Sequence, residues 1–301
     1  MKAILRPQKT QYKTIILYTD PNVITYYWDR RPLMAAGFTD FDILLVGAQG
    51  GRAGDAWGQS SGDRAYSSAG GGGGSLRLKG KLKDLPLDVT QFYVGAVGFN
   101  GADSGSNEAP AGGGNDGTQS GMINGFVYEA HGGTGGIGAD FNFTSTTDFS
   151  RVGEGGDGGG NSAGLGSGGL GGRSIKTDPD GNVAGTAPSI GNYAVGSGGG
   201  GSLVVGGGHG GGGGPGRVKT GGTTRGPALA GSDGNAGAPT WSTGPGGAAG
   251  TNSGGYGGGY NIGDFLPGVP LETADVYGSY IGADGLDTSG HPNGVVCIKV
   301  S

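Results

Sequence analysis

Glycine recurs at every third position in short blocks along this chain. Residues 132–140 read GGT GGI GAD and 153–161 read GEG GDG GGN; 168–173 read GGL GGR, 231–239 GSD GNA GAP and 244–252 GPG GAA GTN. The phase holds for about three triplets and then breaks. The densest run, GGGHGGGGGPGR at 206–217, is interrupted only by His209, Pro215 and Arg217. Glycine loses more backbone freedom on folding than any other residue and has no side chain to bury in return. With 79 glycines in 301 residues, something must repay that loss.

A three-residue period suits a left-handed polyproline II-type helix, which rises about 3.1 Å per residue, so three triplets span roughly 28 Å. Such a helix has no internal hydrogen bonds, and its N–H and C=O groups need partners beside them. Packed side by side, parallel or antiparallel, glycine helices bond one another, because no Cβ holds the backbones apart. Collagen is excluded: it needs an unbroken triplet and abundant proline, and this chain has frequent interruptions and 14 prolines. The expectation is a packed bundle of polyglycine II-like helices, with Thr134, Ile137, Leu170 and Arg173 on its outer faces. The alternative is that the tracts are long disordered loops on a β scaffold.

Between the tracts lie short apolar runs of β type: 13–19, 23–28, 41–48, 75–82, 91–98, 125–130, 140–146, 202–205 and 294–301. In SLRLKGKL (75–82), Leu76, Leu78 and Leu82 alternate with Arg77, Lys79 and Lys81, as in a strand with one buried face. No segment carries apolar residues at helical spacing. The fold class expected is mainly β, a β-sandwich-like core combined with polyglycine II-like helices and long Gly-rich loops, with essentially no α-helix.

Composition removes several function classes. A net charge of −5 with only 14% charged residues is a poor grip for phosphates, which argues against nucleic acid. A single Cys297 rules out an internal disulfide framework and four-ligand zinc patterns. The basic N-terminal stretch has too short an apolar run for a signal-peptide core, and no segment approaches the length needed to insert in a membrane.

Chemistry-bearing motifs are matched mostly by the abundance of glycine. G-x-G-x-x-G recurs without the βαβ context of a dinucleotide site. G-x-S-x-G appears at 58–62 and 160–164, neither between a strand and a helix as a nucleophile elbow requires. DPDGN (178–182) lacks the further carboxylates of a calcium loop and reads as a turn. His131, His209 and His291 stand apart from one another in glycine or turn contexts. We therefore expect no enzyme, no cofactor and no metal.

Aromatics set among small residues remain. Trp57, Tyr66, Tyr193, Trp241, Tyr256 and Tyr260 lie in Gly-, Ser- and Asn-rich surroundings, the composition of an adaptable binding surface. The competing reading is that they cover the glycine layer. Residues 240–260, with Trp57 and Tyr66, form the candidate recognition tip.

The run FDILLVGAQGGRAGDAW…AGGGGGSLRLKGKLKDLPLDVTQFYVGAVG, closed much later by GVVCIKVS, resembles the glycine-rich domain of bacteriophage minor tail proteins and tail-tip adhesins. The resemblance spans about residues 38–301 and lies in the order of strands and tracts. It implies a virion tail protein made in the host cytoplasm, whose partners are other phage tail proteins and a host surface receptor, glycan or protein. Tail fibres are often trimeric, which implies a homotrimer. Residues 1–37 lie outside the pattern, as a tail-docking segment or an N-terminal β extension. The rival readings are a purely structural tail component, an ice-binding or surface-coating protein, and a cellular Gly-rich surface protein; irregular threonines weigh against ice binding.

Overall fold

The computed structural model describes residues 14–18, 20–57, 64–65, 70–104, 111–138, 159–160, 162, 204–208, 218–220, 223–225 and 293–301. These residues are mainly β-sheet with almost no helix. A five-stranded antiparallel sheet has the order β1 (Thr14–Tyr18), β13 (Val295–Val300), β3 (Asp40–Val46), β6 (Ser75–Lys81), β10 (Val204–Gly208). A four-stranded antiparallel sheet runs β2 (Tyr26–Asp29), β7 (Val89–Tyr93), β8 (Ser120–Ile123), β9 (Val127–Ala130). A third sheet joins β12 (Thr223–Arg225), β11 (Val218–Thr220), β5 (Arg64–Ala65) and β4 (Ala56–Trp57).

The first two sheets face each other across one core. Phe41, Ile43 and Leu45 of β3, Leu76 and Leu78 of β6, and Val296, Ile298 and Val300 of β13 meet Trp28, Phe92, Met122 and Tyr128 from the other sheet. Trp28 and Phe92 lie 6.2 Å apart in a tilted arrangement, within the range favoured by aromatic pairs. Each such side chain contributes about 1.5–3 kcal/mol on full burial. The alternation expected in β6 is present: Leu76 and Leu78 are buried, whereas Lys79 and Lys81 are exposed or partly so.

Several boundaries shift from the sequence expectation for local reasons. The run 23–28 starts late because Asp20 accepts the backbone N–H of Asn22, closing a turn before β2. The run 125–130 loses its first residues to the β8–β9 turn, where Gly125 has φ +73°. The run 91–98 ends at Tyr93 as a strand. Strands β4, β5, β8, β11 and β12 were not anticipated, and the run 140–146 lies outside the described residues. Among the described residues a 3-10 turn spans Leu82–Asp84, and one short α-helix, α1 (Arg31–Ala35), ends where Gly37 donates to Met34 O and Phe38 to Leu33 O. Gly37 supplies the left-handed conformation (φ +92°) that this double-bonded stop requires.

On the opposite face of the five-stranded sheet, Asp42, Leu44, Cys297 and Lys299 are buried, while Arg77 is partly and Lys79 largely exposed. Asp42 is 2% exposed and receives Arg77 in a two-pronged contact, Nε to Oδ1 at 2.8 Å and Nη2 to Oδ2 at 2.6 Å. Lys79 Nζ is 3.3 Å and Lys299 Nζ 3.9 Å from the same carboxylate. Register explains the gathering, since Lys299, Asp42 and Lys79 stand directly opposite on three adjacent strands. Burial lowers the pKa of Lys299, and the charge of Asp42 opposes that shift. Cys297, buried on this face two residues away, has its thiol pushed up to about 12 by burial.

Two predictions follow from this face. Asp42→Asn should cost about 3–5 kcal/mol in urea unfolding, because it leaves the buried Lys299 and part-buried Arg77 without their shared carboxylate; Asp40→Asn, on the more exposed Lys81 pair, should cost under about 1 kcal/mol. Cys297 should resist a thiol reagent at neutral pH in the folded protein and react fully in denaturant.

Candidate functional site

Five strands do not end at the sheet but continue as glycine-rich tracts. β3 runs on into 47–55, β7 into 95–104 and β9 into 131–138, while 70–74 leads into β6 and 111–118 into β8. The tracts bond one another at three-residue intervals. Residues 48, 51 and 54 donate to the carbonyls of 118, 115 and 112. Residues 98, 101 and 104 donate to 49, 52 and 55, so this neighbour is parallel where the former is antiparallel. Residues 112, 115 and 118 donate to 102, 99 and 96; 114 and 117 donate to 136 and 133; 133 and 136 donate to 48 and 51. Residues 47 and 50 bond 74 and 71, which in turn donate to 131 and 134. These rungs measure 2.7 to 3.1 Å, the range of good N–H···O bonds.

Tract 47–55 is central, with four bonded neighbours: 70–74, 131–138, 111–118 and 95–104. Close approach depends on missing side chains. A Cβ on Gly51 would enter the carbonyl of Phe99, one on Gly54 that of Ala102, and one on Gly50 that of Thr134. Gly113 is the exception, with its nearest contact at 3.3 Å, the Gly136 carbonyl.

Some N–H groups find side chains instead of carbonyls. The N–H groups of Arg52 and Asp55 donate to the Oδ1 atoms of Asn100 and Asp103, at 3.0 and 2.8 Å. Gly135 donates to Asp116 Oδ1, Ala96 to Thr118 Oγ1, Gly95 to Ser120 Oγ and Val97 to Asn293 Oδ1. This role was missed in reading the sequence. Its signal is there: GFN GAD at 98–103 places Asn100 and Asp103 in triplet phase.

Some non-glycine positions form a rim, whereas Ala48, Ala53, Asp55, Ser104 and Ala111 are buried within the ladder. Thr134 and Ile137 are exposed as expected, and on tract 95–104 Phe99 is 81% exposed beside exposed Asn100, Ala102 and Asp103. Leu170 and Arg173 lie outside the described residues. Of the candidate tip residues, Trp57 belongs to β4 and pairs in register with Arg64 of β5. Tyr66, Trp241, Tyr256 and Tyr260 lie outside the described residues, as does Tyr193. Of the candidate tip residues, Trp57 alone falls among the described residues.

Residues with catalytic potential have structural employment. Ser162, of the second G-x-S-x-G match, donates its N–H to Glu129 O and accepts the Glu129 N–H on its Oγ, extending the β9 edge. His131 is held by its backbone in the ladder, donating to Gly160 and accepting from Gly74; its Nε2 is buried without a hydrogen-bond partner. His209, His291, the 58–62 match and DPDGN lie outside the described residues. Among the described residues no three His, Cys, Asp or Glu side chains gather as a metal site, and no helix is long and apolar enough to cross a membrane. No family model matches the chain, and no curated protein shows significant similarity to it.

The ladder sets a graded substitution test. Gly51→Ala should destabilise by about 3 kcal/mol, from overpacking together with lost rungs. Gly113→Ala should change stability by less than about 1 kcal/mol, since it also restricts the unfolded chain. Thermal or urea unfolding of the two variants beside wild type measures the difference.

Proposed function

We propose that this chain is a bacteriophage virion tail protein, a minor tail protein or tail-tip adhesin, that contributes to recognition of the host-cell surface. In this reading the tracts are left-handed polyglycine II helices packed beside a β-sandwich-like core, and the loops between them present the contact residues. The observation that carries the reading is the triplet-spaced ladder, with parallel and antiparallel neighbours around one central tract. Such a scaffold holds many loop ends rigidly with little hydrophobic core, which suits a protein whose variable parts must face outward. The partners proposed are other tail proteins at one end and a glycan or protein receptor at the other.

The exposed ladder rim is consistent with binding rather than catalysis. It carries Phe99, Ile137 and short polar side chains, a mixture suited to adaptable contact. We place the recognition tip at Trp241, Tyr256 and Tyr260, with Trp57 and Tyr66 contributing, on the composition of their surroundings.

Fluorescently labelled protein incubated with a panel of bacterial strains tests the proposal. Saturable binding to a narrow set of strains is expected, weakened about tenfold or more in a Trp241→Ala/Tyr260→Ala variant, the loss of about 1.4 kcal/mol or more. Binding unaffected by the variant moves the tip elsewhere. Folded protein that binds no strain overturns the adhesin reading in favour of a purely structural tail component.

A further inference from the structure

Strand β13 stands inside the five-stranded sheet, yet it comes from far along the chain. It pairs antiparallel with β1 on one side and β3 on the other, and Val46 of β3 meets Val295, 249 positions further on. By contrast, Val46 reaches its β6 partner Ser75 across only 29 positions. All six residues of β13 are buried; Val296, Ile298 and Val300 enter the shared core, while Cys297 and Lys299 lie on the other face. Both ends of the segment are fastened. Asn293 Oδ1 accepts the Val97 N–H at 2.9 Å, and Gly294 donates to Gly95 O at 2.8 Å, which ties the segment to the ladder. At the other end Ser301 O accepts from Thr39 and Asp40, at 2.8 and 2.9 Å, and Ser301 N donates to Asp40 O.

Without residues 293–301 most of the described network is still joined. Strands β3, β6 and β10 pair with one another, and the four-stranded sheet is untouched. The rungs that join tracts 47–55, 70–74, 95–104, 111–118 and 131–138 to one another involve no residue beyond 138. Two things change. Strand β1 loses its sheet neighbour, since among the described residues it pairs with β13 alone. The β3 edge from Phe41 to Val46 is left with unpaired backbone groups beside an open stretch of core. That opening is one strand wide. Lys299 sets the register in which it is filled. Asp42 of β3 is held by Arg77 and Lys79 of β6, and Lys299 stands directly opposite it. A slip of one residue would turn Lys299 into the apolar core and Val296, Ile298 and Val300 away from it.

We propose that residues 293–301 form a separable closing strand, and that the β3 edge with its core face is the acceptor site for it. Docking of this strand recruits β1 and locks the start of tract 95–104. The occupant is the segment NGVVCIKVS itself, recognised by main-chain pairing and by the inward row Val296, Ile298 and Val300. Closing so long a separation places this pairing after the local β3–β6 pairing in folding. This inference does not rest on the adhesin reading, and a failure of strain binding leaves it untouched.

A recognition site for a sequence-specific protease, inserted within 226–292, lets the folded full-length protein be cut with every native residue retained. We expect the cut protein to keep its fold. The amides of Thr39, Asp40 and Val97, which donate to this segment, should stay protected from hydrogen exchange. In urea below the unfolding transition, a fluorescently labelled peptide of residues 293–301 should replace the resident strand, raising anisotropy to saturation at one peptide per chain. An Ile298→Asp peptide should bind about tenfold or more weakly, because its carboxylate would enter the core. Uncut protein, whose own strand is tethered beside the site, should also take up about tenfold less peptide or lower still. Cut protein that stays folded and takes up no peptide overturns the proposal. Equal uptake of the Ile298→Asp peptide, or equal uptake by uncut protein, overturns it by placing the peptide elsewhere. Unfolding on cleavage overturns it as well, since the strand would then be held by its tether rather than by its site.

Discussion

One backbone hydrogen bond per triplet, passed from tract to tract, is the interaction on which the rest of this structure depends. Fixing a residue costs about 1–2 kcal/mol of backbone entropy, whereas a hydrogen bond nets only about 0.5–1.5 kcal/mol. A free-standing glycine ladder is therefore poorly supported by its own bonds. What makes it tenable is that five of its tracts continue strands of the two packed sheets. Because the packed sheets fix one end of each tract, part of the ordering cost is met by the core rather than by the rungs.

The ladder also shows what happens to two facing sheets when side chains are removed from between them. Across the hydrophobic core, facing sheets stand about 10 Å apart, with interdigitated side chains filling the space. Beyond the strand ends glycine replaces those side chains, and tract 47–55 from one sheet bonds directly to 95–104, 111–118 and 131–138 from the other. Side-chain packing gives way to direct backbone contact along one continuous chain path. Where a carbonyl is not on offer, a short Asn, Asp, Ser or Thr side chain takes its place, as Asn100 and Asp103 do for Arg52 and Asp55. Longer side chains are confined to the rim, where Phe99 and Ile137 face solvent.

This division of labour shapes what the protein can do. The core holds the large apolar side chains, and the interior of the ladder holds glycine with small or short side chains such as Ala48, Ala53, Asp55 and Ser104. Ser162 and His131, the described residues that most resemble catalytic parts by type, are bound into the sheet edge and the ladder.

Much of the fold was legible in the residues. The glycine phase at 132–138 foretold the rungs at 133 and 136 and the outward Thr134 and Ile137, because backbone spacing in such a tract depends on little besides the period. The alternation in β6 foretold its buried leucines for an equally local reason. Strands β4 and β5, two residues each, carry no pattern of their own and exist because neighbours pair with them. Likewise nothing local announces that Lys299 and Asp42 meet: register brings them together from residues far apart in the chain. The sequence by itself determined the period of the tracts and the polarity of the strands, since both follow from the geometry of a single backbone. Only the tertiary structure decided which tract bonds which and which strands share a sheet. Those are properties of pairing between distant segments, and no single segment encodes its partner.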